Sequence, residues 1–190
     1  MKIFQLIILL VALSGCDLFT TRDPEDPTST RSNFVPATTP EILFQNLQES
    51  FRERITENYM ACFVDSSYLA KQYVFNPAVS SLSQFPNLSD WTLEAERQHF
   101  NYVKSISSPN IQISLLLENR SFSSVDDGWI YQYEYTLSIP TTNPAIPGIY
   151  KGIAQFKIEN DSRPIWVITE WTDIQVENFP CWSELKGRSY

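Results

Sequence analysis

Trp129, Tyr131, Tyr133, Tyr135, Leu137 and Ile139 occupy every second position and alternate with Ile130, Gln132, Glu134, Thr136 and Ser138. A period of two held this long fits a strand with one buried face and one wetter face. A helix would scatter the same residues around its axis. The strand has company. Ile111, Ile113, Leu115 and Leu117 alternate with Gln112, Ser114, Leu116 and Glu118, and Asp126-Asp127-Gly128 supplies a turn between the two runs. Two further strands are expected at Ile149–Glu159 and Pro164–Ile174, joined through Asn160-Asp161-Ser162. No internal repeat is evident. One face of this sheet is rich in aromatics and must be covered.

The cover lies upstream. Thr39 can cap a helix, Pro40 suits its first position, and Glu41 favours its positive end. Ile42, Leu43, Phe44, Leu47, Phe51 and Ile55 then recur at helical spacing. Thr56 restarts a short second helix through Tyr59, Cys62 and Phe63. Tyr68 to Phe75 reads as a strand ended by Asn76-Pro77, and a loop rich in Ser, Pro and Asn follows. A third helix is expected to begin near Ser89-Asp90. On it Trp91, Ala95, His99, Tyr102, Val103 and Ile106 share one arc, while Glu94, Arg97, Asn101 and Lys104 share the other.

The N-terminus sets an address. Met1-Lys2, an apolar run from Ile3 to Leu13, and Leu13-Ser14-Gly15-Cys16 have the layout of a signal peptide. The run is too short for a spanning helix, which needs about 20 apolar residues. Leu13-Ser14-Gly15-Cys16 resembles a bacterial lipobox, in which the cysteine takes a diacylglycerol before the leader is cut away. That resemblance implies lipidation of Cys16, a bacterial cell-envelope location on the periplasmic or outer-surface side, and a membrane as partner. Two or more acyl chains anchor a protein stably. The expected organisation is a leader at 1–15, a lipidated cysteine and disordered tether at 16–38, and a folded domain at 39–190. Pro24, Pro27 and Pro36 among Thr, Ser, Asp and Arg support the tether.

Without residues 1–15, 175 of the 190 residues are left, one domain and its tether. Thirteen Lys and Arg then stand against 22 Asp and Glu. So acidic a chain is a poor match for nucleic acid and gains no electrostatic help at anionic lipid. Five Trp, nine Tyr and twelve Phe can build a real core. With Cys16 acylated, two thiols are left, Cys62 and Cys181. An oxidising envelope permits their pairing without requiring it. No C-x-x-C or His-rich cluster points to a metal, and no cofactor motif is present.

Helices first and long antiparallel strands after define an α+β class. The order helix, helix, strand, helix and then a strand meander, over residues 39 to about 175, resembles the nuclear transport factor 2-like cone, also called SnoaL-like or ketosteroid-isomerase-like. That resemblance implies a curved antiparallel sheet wrapped around N-terminal helices, with a pocket between them. A lipocalin-like barrel is the other architecture, and it needs more strands than remain. Arg22-Asp23-Pro24-Glu25, Thr39-Pro40-Glu41-Ile42 and Trp182-Ser183-Glu184-Leu185-Lys186-Gly187 also resemble segments of small envelope lipoproteins of this type, a likeness that brings no activity with it.

In a cone, Tyr131, Tyr133 and Tyr135 would face the interior with Trp91, His99 and Phe156, the candidate pocket lining. The tyrosine row also reads as plain core or as an interface, since a tyrosine buries a large ring and keeps a polar tip. His99, the lone histidine, reads first as a satisfied core imidazole and second as a general base. The ketosteroid-isomerase resemblance implies a pocket carboxylate and tyrosine donors. Tyr133 or Tyr135 could donate, and Glu170 or Asp173 could be the acid. Trp166 and Trp171 lie on opposite faces of that strand, so the inward carboxylate stays open. No G-x-S-x-G, Walker or zinc pattern occurs. The reading that follows is a lipid-anchored, non-catalytic domain that binds an envelope protein or an apolar small ligand. The alternative is a cone-fold isomerase, dehydratase or hydrolase acting on an apolar small molecule. Ile149 and Ile153 on the outer sheet face leave a homodimer open.

Overall fold

The computed structural model describes residues 32–189; the leader, Cys16 and most of the tether lie outside them. Helix α1, Pro40–Glu53, starts where Thr39 accepts the Ile42 N–H and stops at Arg54, which turns left-handed (φ 59°). It buries Leu43, Phe44, Leu47 and Phe51. Helix α2, Thr56–Met60, follows at once. Upstream of α1, the Asn46 side-chain amide donates to the Val35 carbonyl at 2.7 Å, and Ala37 is buried. Ordered packing therefore begins before Thr39.

Several expected boundaries move: the second helix stops at Met60, before Phe63, and the strands expected from Ile111 and Pro164 begin at Ser114 and Trp166. Only Val74–Asn76 forms strand β1. The chain from Tyr68 is instead held in turns, with Tyr68 and Leu69 N–H on the Asp65 carbonyl and the Arg163 guanidinium 3.6 Å above the Tyr68 ring. The following loop contains a four-residue helix α3, Val79–Leu82, and a 3-10 turn, Pro86–Asp90. Helix α4 is Leu93–Ile106, beginning later than the Ser89-Asp90 signal suggests. Thr92 is its cap, accepting the Ala95 N–H at 3.1 Å.

Strands β2 (Ser114–Val125), β3 (Gly128–Ser138), β4 (Ile149–Asn160) and β5 (Trp166–Gln175) form an antiparallel meander, and β1 adds to β5 in parallel. The order is β1-β5-β4-β3-β2, a curved and unclosed sheet, so the barrel alternative does not hold. The tyrosines at alternate positions of β3 do face inward. Register then does something the sequence hides. Phe122 pairs with Tyr131, Tyr131 with Phe156, Phe156 with Trp171, and Trp171 with Phe75. Each of the five strands gives one ring to a row across the sheet, and Phe44 of α1 sits on it, 5.2 Å from Tyr131 and 5.5 Å from Phe156. Opposed aromatic pairs each add up to about 1 kcal/mol beyond alanine pairs.

A second row depends on a glycine. Tyr135 pairs with Gly152, and a Cβ at Gly152 would lie 2.6 Å from the Tyr135 hydroxyl and 2.7 Å from the Ile174 carbonyl oxygen. The missing side chain lets the Tyr135 ring cross β4 toward β5. Edge strand β2 carries a register shift between Glu118 and Ser121, with Asn119 at φ 50°. Cys62 and Cys181 are both buried and unpaired. Among the described residues no helix is long and apolar enough to cross a membrane. Gly152→Ala should lower stability by about 1–3 kcal/mol through this overpacking, read as a shift in the denaturant midpoint; an unchanged midpoint would contradict the close approach.

Candidate functional site

The interior of the cone is occupied by the chain itself. Helix α5, Trp182–Gly187, is too short to stand alone and has no side-chain cap. Residues of the sheet satisfy its first turn instead. Asp173 on β5 accepts the Ser183 N–H at 2.6 Å and its hydroxyl at 2.5 Å. The Tyr135 hydroxyl donates to the other Asp173 oxygen at 2.8 Å and accepts the Trp182 N–H at 2.7 Å. Burial pushes the Asp173 carboxyl up, while the bonds from Ser183 and Tyr135 pull it back down. Asp173 is thus the inward acid of β5. Glu170 points away and accepts the Asn76 amide at 2.6 Å.

Trp182 then fills the centre. Its ring makes edge contacts with Phe51, Tyr135 and Trp171 at centroid distances of 5.5, 5.3 and 4.5 Å. Its indole N–H donates to His99 Nε2 at 3.1 Å. His99 must therefore carry its proton on Nδ1, where the partner is the Ser189 hydroxyl at 3.2 Å. Ser189 passes its own proton to the Lys186 carbonyl at 2.5 Å. Burial holds the His99 ring down at about 3, the field of Lys186 adds to this, and Glu96 opposes it. The imidazole is neutral and sealed between Trp91 and Trp182.

One helical turn beyond Trp182, Lys186 enters the core with no solvent exposure and meets Glu96, equally buried, at 2.5 Å. Glu96 is saturated. One oxygen accepts the Tyr59 hydroxyl at 2.5 Å, and the other accepts Tyr73 at 3.2 Å and the Trp91 indole at 2.7 Å besides Lys186. Burial raises the Glu96 carboxyl, yet the Lys186 ammonium, the field of His99 and the hydrogen bonds from Lys186 and Tyr59 together outweigh it and the net direction is down. Burial lowers Lys186 to about 8, so it stays an ammonium at neutral pH. Around its nitrogen stand the rings of Phe75 at 3.7 Å, Trp171 at 4.1 Å and Trp91 at 5.1 Å. Tyr59 and Tyr73 are pushed well above their usual range by burial and stay neutral donors.

Of the six residues expected to line a pocket, all six are buried. They do not form one group. Tyr131, Tyr133 and Phe156 close on Phe44, with Tyr133 at 4.8 Å. Tyr135 serves Asp173 and α5, His99 serves Trp182, and Trp91 serves Glu96. Trp91 also borders open space, in a groove of about 630 Å³ walled by Lys71, Tyr73, Phe75, Asp90 and Leu93, and Tyr135 borders a smaller one of about 430 Å³ with Lys151, Gly152 and Phe179. Sequence reasoning missed Glu96 and Lys186. A signal for Glu96 existed, since it sits three residues before His99, four before Phe100 and seven before Val103, on the apolar arc. Among the described residues no group of three or more His, Cys, Asp or Glu could hold a metal.

Two measurements check this centre. The unfolded chain protonates His99 near 6.5, whereas the folded chain refuses that proton until about 3. Stability from this group is complete above the unfolded value and is lost as pH falls through that window, by up to about 1.4 kcal/mol per pH unit. His99→Gln should remove that component from a denaturation series between about pH 7 and pH 4; slopes equal to wild type would refute a sealed neutral imidazole. Lys186→Met leaves a buried carboxylate and should cost about 3–5 kcal/mol. Glu96→Leu strands four donors and should cost more, so the reverse order of denaturation midpoints would contradict the network.

No protein-family model matches the chain, and no curated protein matches it. Solved structures do. A scytalone dehydratase-like protein from Novosphingobium aromaticivorans superposes with a TM-score of 0.55 at 13% identity, over 75% of this chain and 89% of that one. A dehydratase-like member of the nuclear transport factor 2-like family from Streptomyces avermitilis gives 0.52 at 8%, over 72% and 93%. A nuclear transport factor 2-like protein of unknown function from Pseudomonas putida gives 0.50 at 10%, over 73% and 84%. Identities this low speak to fold alone. The chain has the cone fold of the nuclear transport factor 2-like proteins.

Proposed function

We propose that this chain is a lipid-anchored domain on the periplasmic or outer-surface side of a bacterial membrane, which binds a small apolar ligand and does not catalyse a reaction. The fold is compatible with either binding or catalysis. The observation that favours binding is the filling of the cone by Trp182 and Lys186. A catalytic acid or base must reach its substrate, and the carboxylates of Glu96 and Asp173 are saturated by donors of the chain itself. An accessible groove lies beside Trp91, and its volume and mixed aromatic and polar walls suit a small molecule. Cys16 would hold the domain at the membrane through its acyl chains.

The enzyme reading retains one supporting feature, the Tyr135–Asp173 pair, a buried carboxyl with a tyrosine donor. Its remaining oxygen is taken by Ser183, which makes the pair an anchor for α5. The full chain, purified from a bacterial membrane fraction, should bind the neutral fluorescent probe N-phenyl-1-naphthylamine. Val74→Glu, at a half-exposed position in the groove wall, should weaken that binding at least tenfold. Cys16→Ser should release the protein from the membrane fraction. Equal probe binding by Val74→Glu would overturn the groove assignment, and turnover of an aromatic ketone lost in Asp173→Asn would overturn the non-catalytic reading.

A further inference from the structure

We propose that Phe75, Trp91, Trp171 and Glu96 form a receptor cage for an alkylammonium cation, with Lys186 of the chain's own terminal helix as the tethered occupant. Three ring faces and one carboxylate about an ammonium nitrogen are the elements by which proteins recognise amine and quaternary ammonium ligands. Here the nitrogen lies 3.7 Å from the Phe75 centroid, 5.1 Å from Trp91, 4.1 Å from Trp171 and 2.5 Å from the carboxylate. Tyr59 and Tyr73 steady the carboxylate from behind.

Stability alone is a poor reason for this arrangement. Lysine is almost never fully buried, and a buried ion pair is commonly no more stable than well-packed apolar residues of the same volume. The cage is also next to an entrance, because Phe75 and Trp91 wall the open groove as well as touching Lys186. Lys186 is carried on six residues of helix whose hold on the sheet is Asp173, Tyr135 and the Trp182 ring. Withdrawal of α5 would uncover the cage while its three rings stay on other elements, Phe75 on β1, Trp171 on β5 and Trp91 just before the Thr92 cap of α4, at the loss of the Trp171 edge contact with Trp182. Occupation by Lys186 lowers the apparent affinity for any free amine by the fraction of molecules in which the cage is open.

The inference deepens the ligand-binding reading and rests on it, but the two fail separately. Naphthylamine binding reports the groove, and a small cation reports the cage. Lys186→Ala removes the equivalent of n-propylammonium, so n-propylammonium chloride is the probe, with sodium chloride and n-propanol as controls. In the full-length Lys186→Ala protein the probe should raise the melting temperature saturably, at least tenfold more tightly than in wild type, and Glu96→Gln in the same background should abolish the effect. In wild type, the probe should speed amide exchange over residues 182–188. Tetramethylammonium run alongside distinguishes a primary amine from a choline-type head group as the source of the cation. Should Lys186→Ala fail to fold, the wild-type exchange experiment decides alone. Rescue without any change in wild-type exchange, or the same rescue by n-propanol, would overturn the proposal and make the pair purely structural.

Discussion

An ammonium and a carboxylate 2.5 Å apart, neither touching water, impose the strictest condition in this molecule. Desolvating both is costly and is offset only where every remaining lone pair and proton finds a partner. That condition explains the neighbours. Two tyrosines and an indole complete Glu96, three rings face Lys186, and α5 must dock in one orientation for its fifth residue to arrive there. A fold-wide consequence follows: α5 is as buried as α1, and its Trp182 ring bridges Phe51 of α1 and Trp171 of β5.

The sheet meets that condition from the other side. Its row of five rings, one per strand, receives Phe44 of α1, and Gly152 opens the lane along which Tyr135 reaches Asp173. Asp173 receives α5 at its N-terminal end, and Glu96 receives it through Lys186. Two acids on different elements thus grip one short helix at two points, with Trp182 and His99 between. Removing either grip leaves polar groups stranded in an aromatic core.

Much of the architecture was legible because it rests on periodicity. The alternation from Trp129 to Ile139 places three tyrosines inward, and Thr39-Pro40-Glu41 marks a helix start; both describe the observed elements. Periodicity says nothing of register, so the cross-strand row was invisible, as was the choice between Glu170 and Asp173. Local turn chemistry overrode the strand expected from Tyr68, where Asp65 gathers the backbone. The interior site was least legible. Glu96 looks like a surface acid among Glu94, Arg97 and Gln98, and Lys186 ends a segment too short to show a pattern. Each is explained only by the other, and ninety residues separate them.

The outermost strand carries a different lesson. β2 is twelve residues long and forms an open edge of the sheet, the kind of ladder that invites another polypeptide to add itself. Its left-handed kink at Asn119 and the Arg120–Glu41 ion pair at 2.9 Å break that ladder midway and hang charge over it. Molecules crowded side by side would find no continuous rail to zip along, so close neighbours can stay separate individuals.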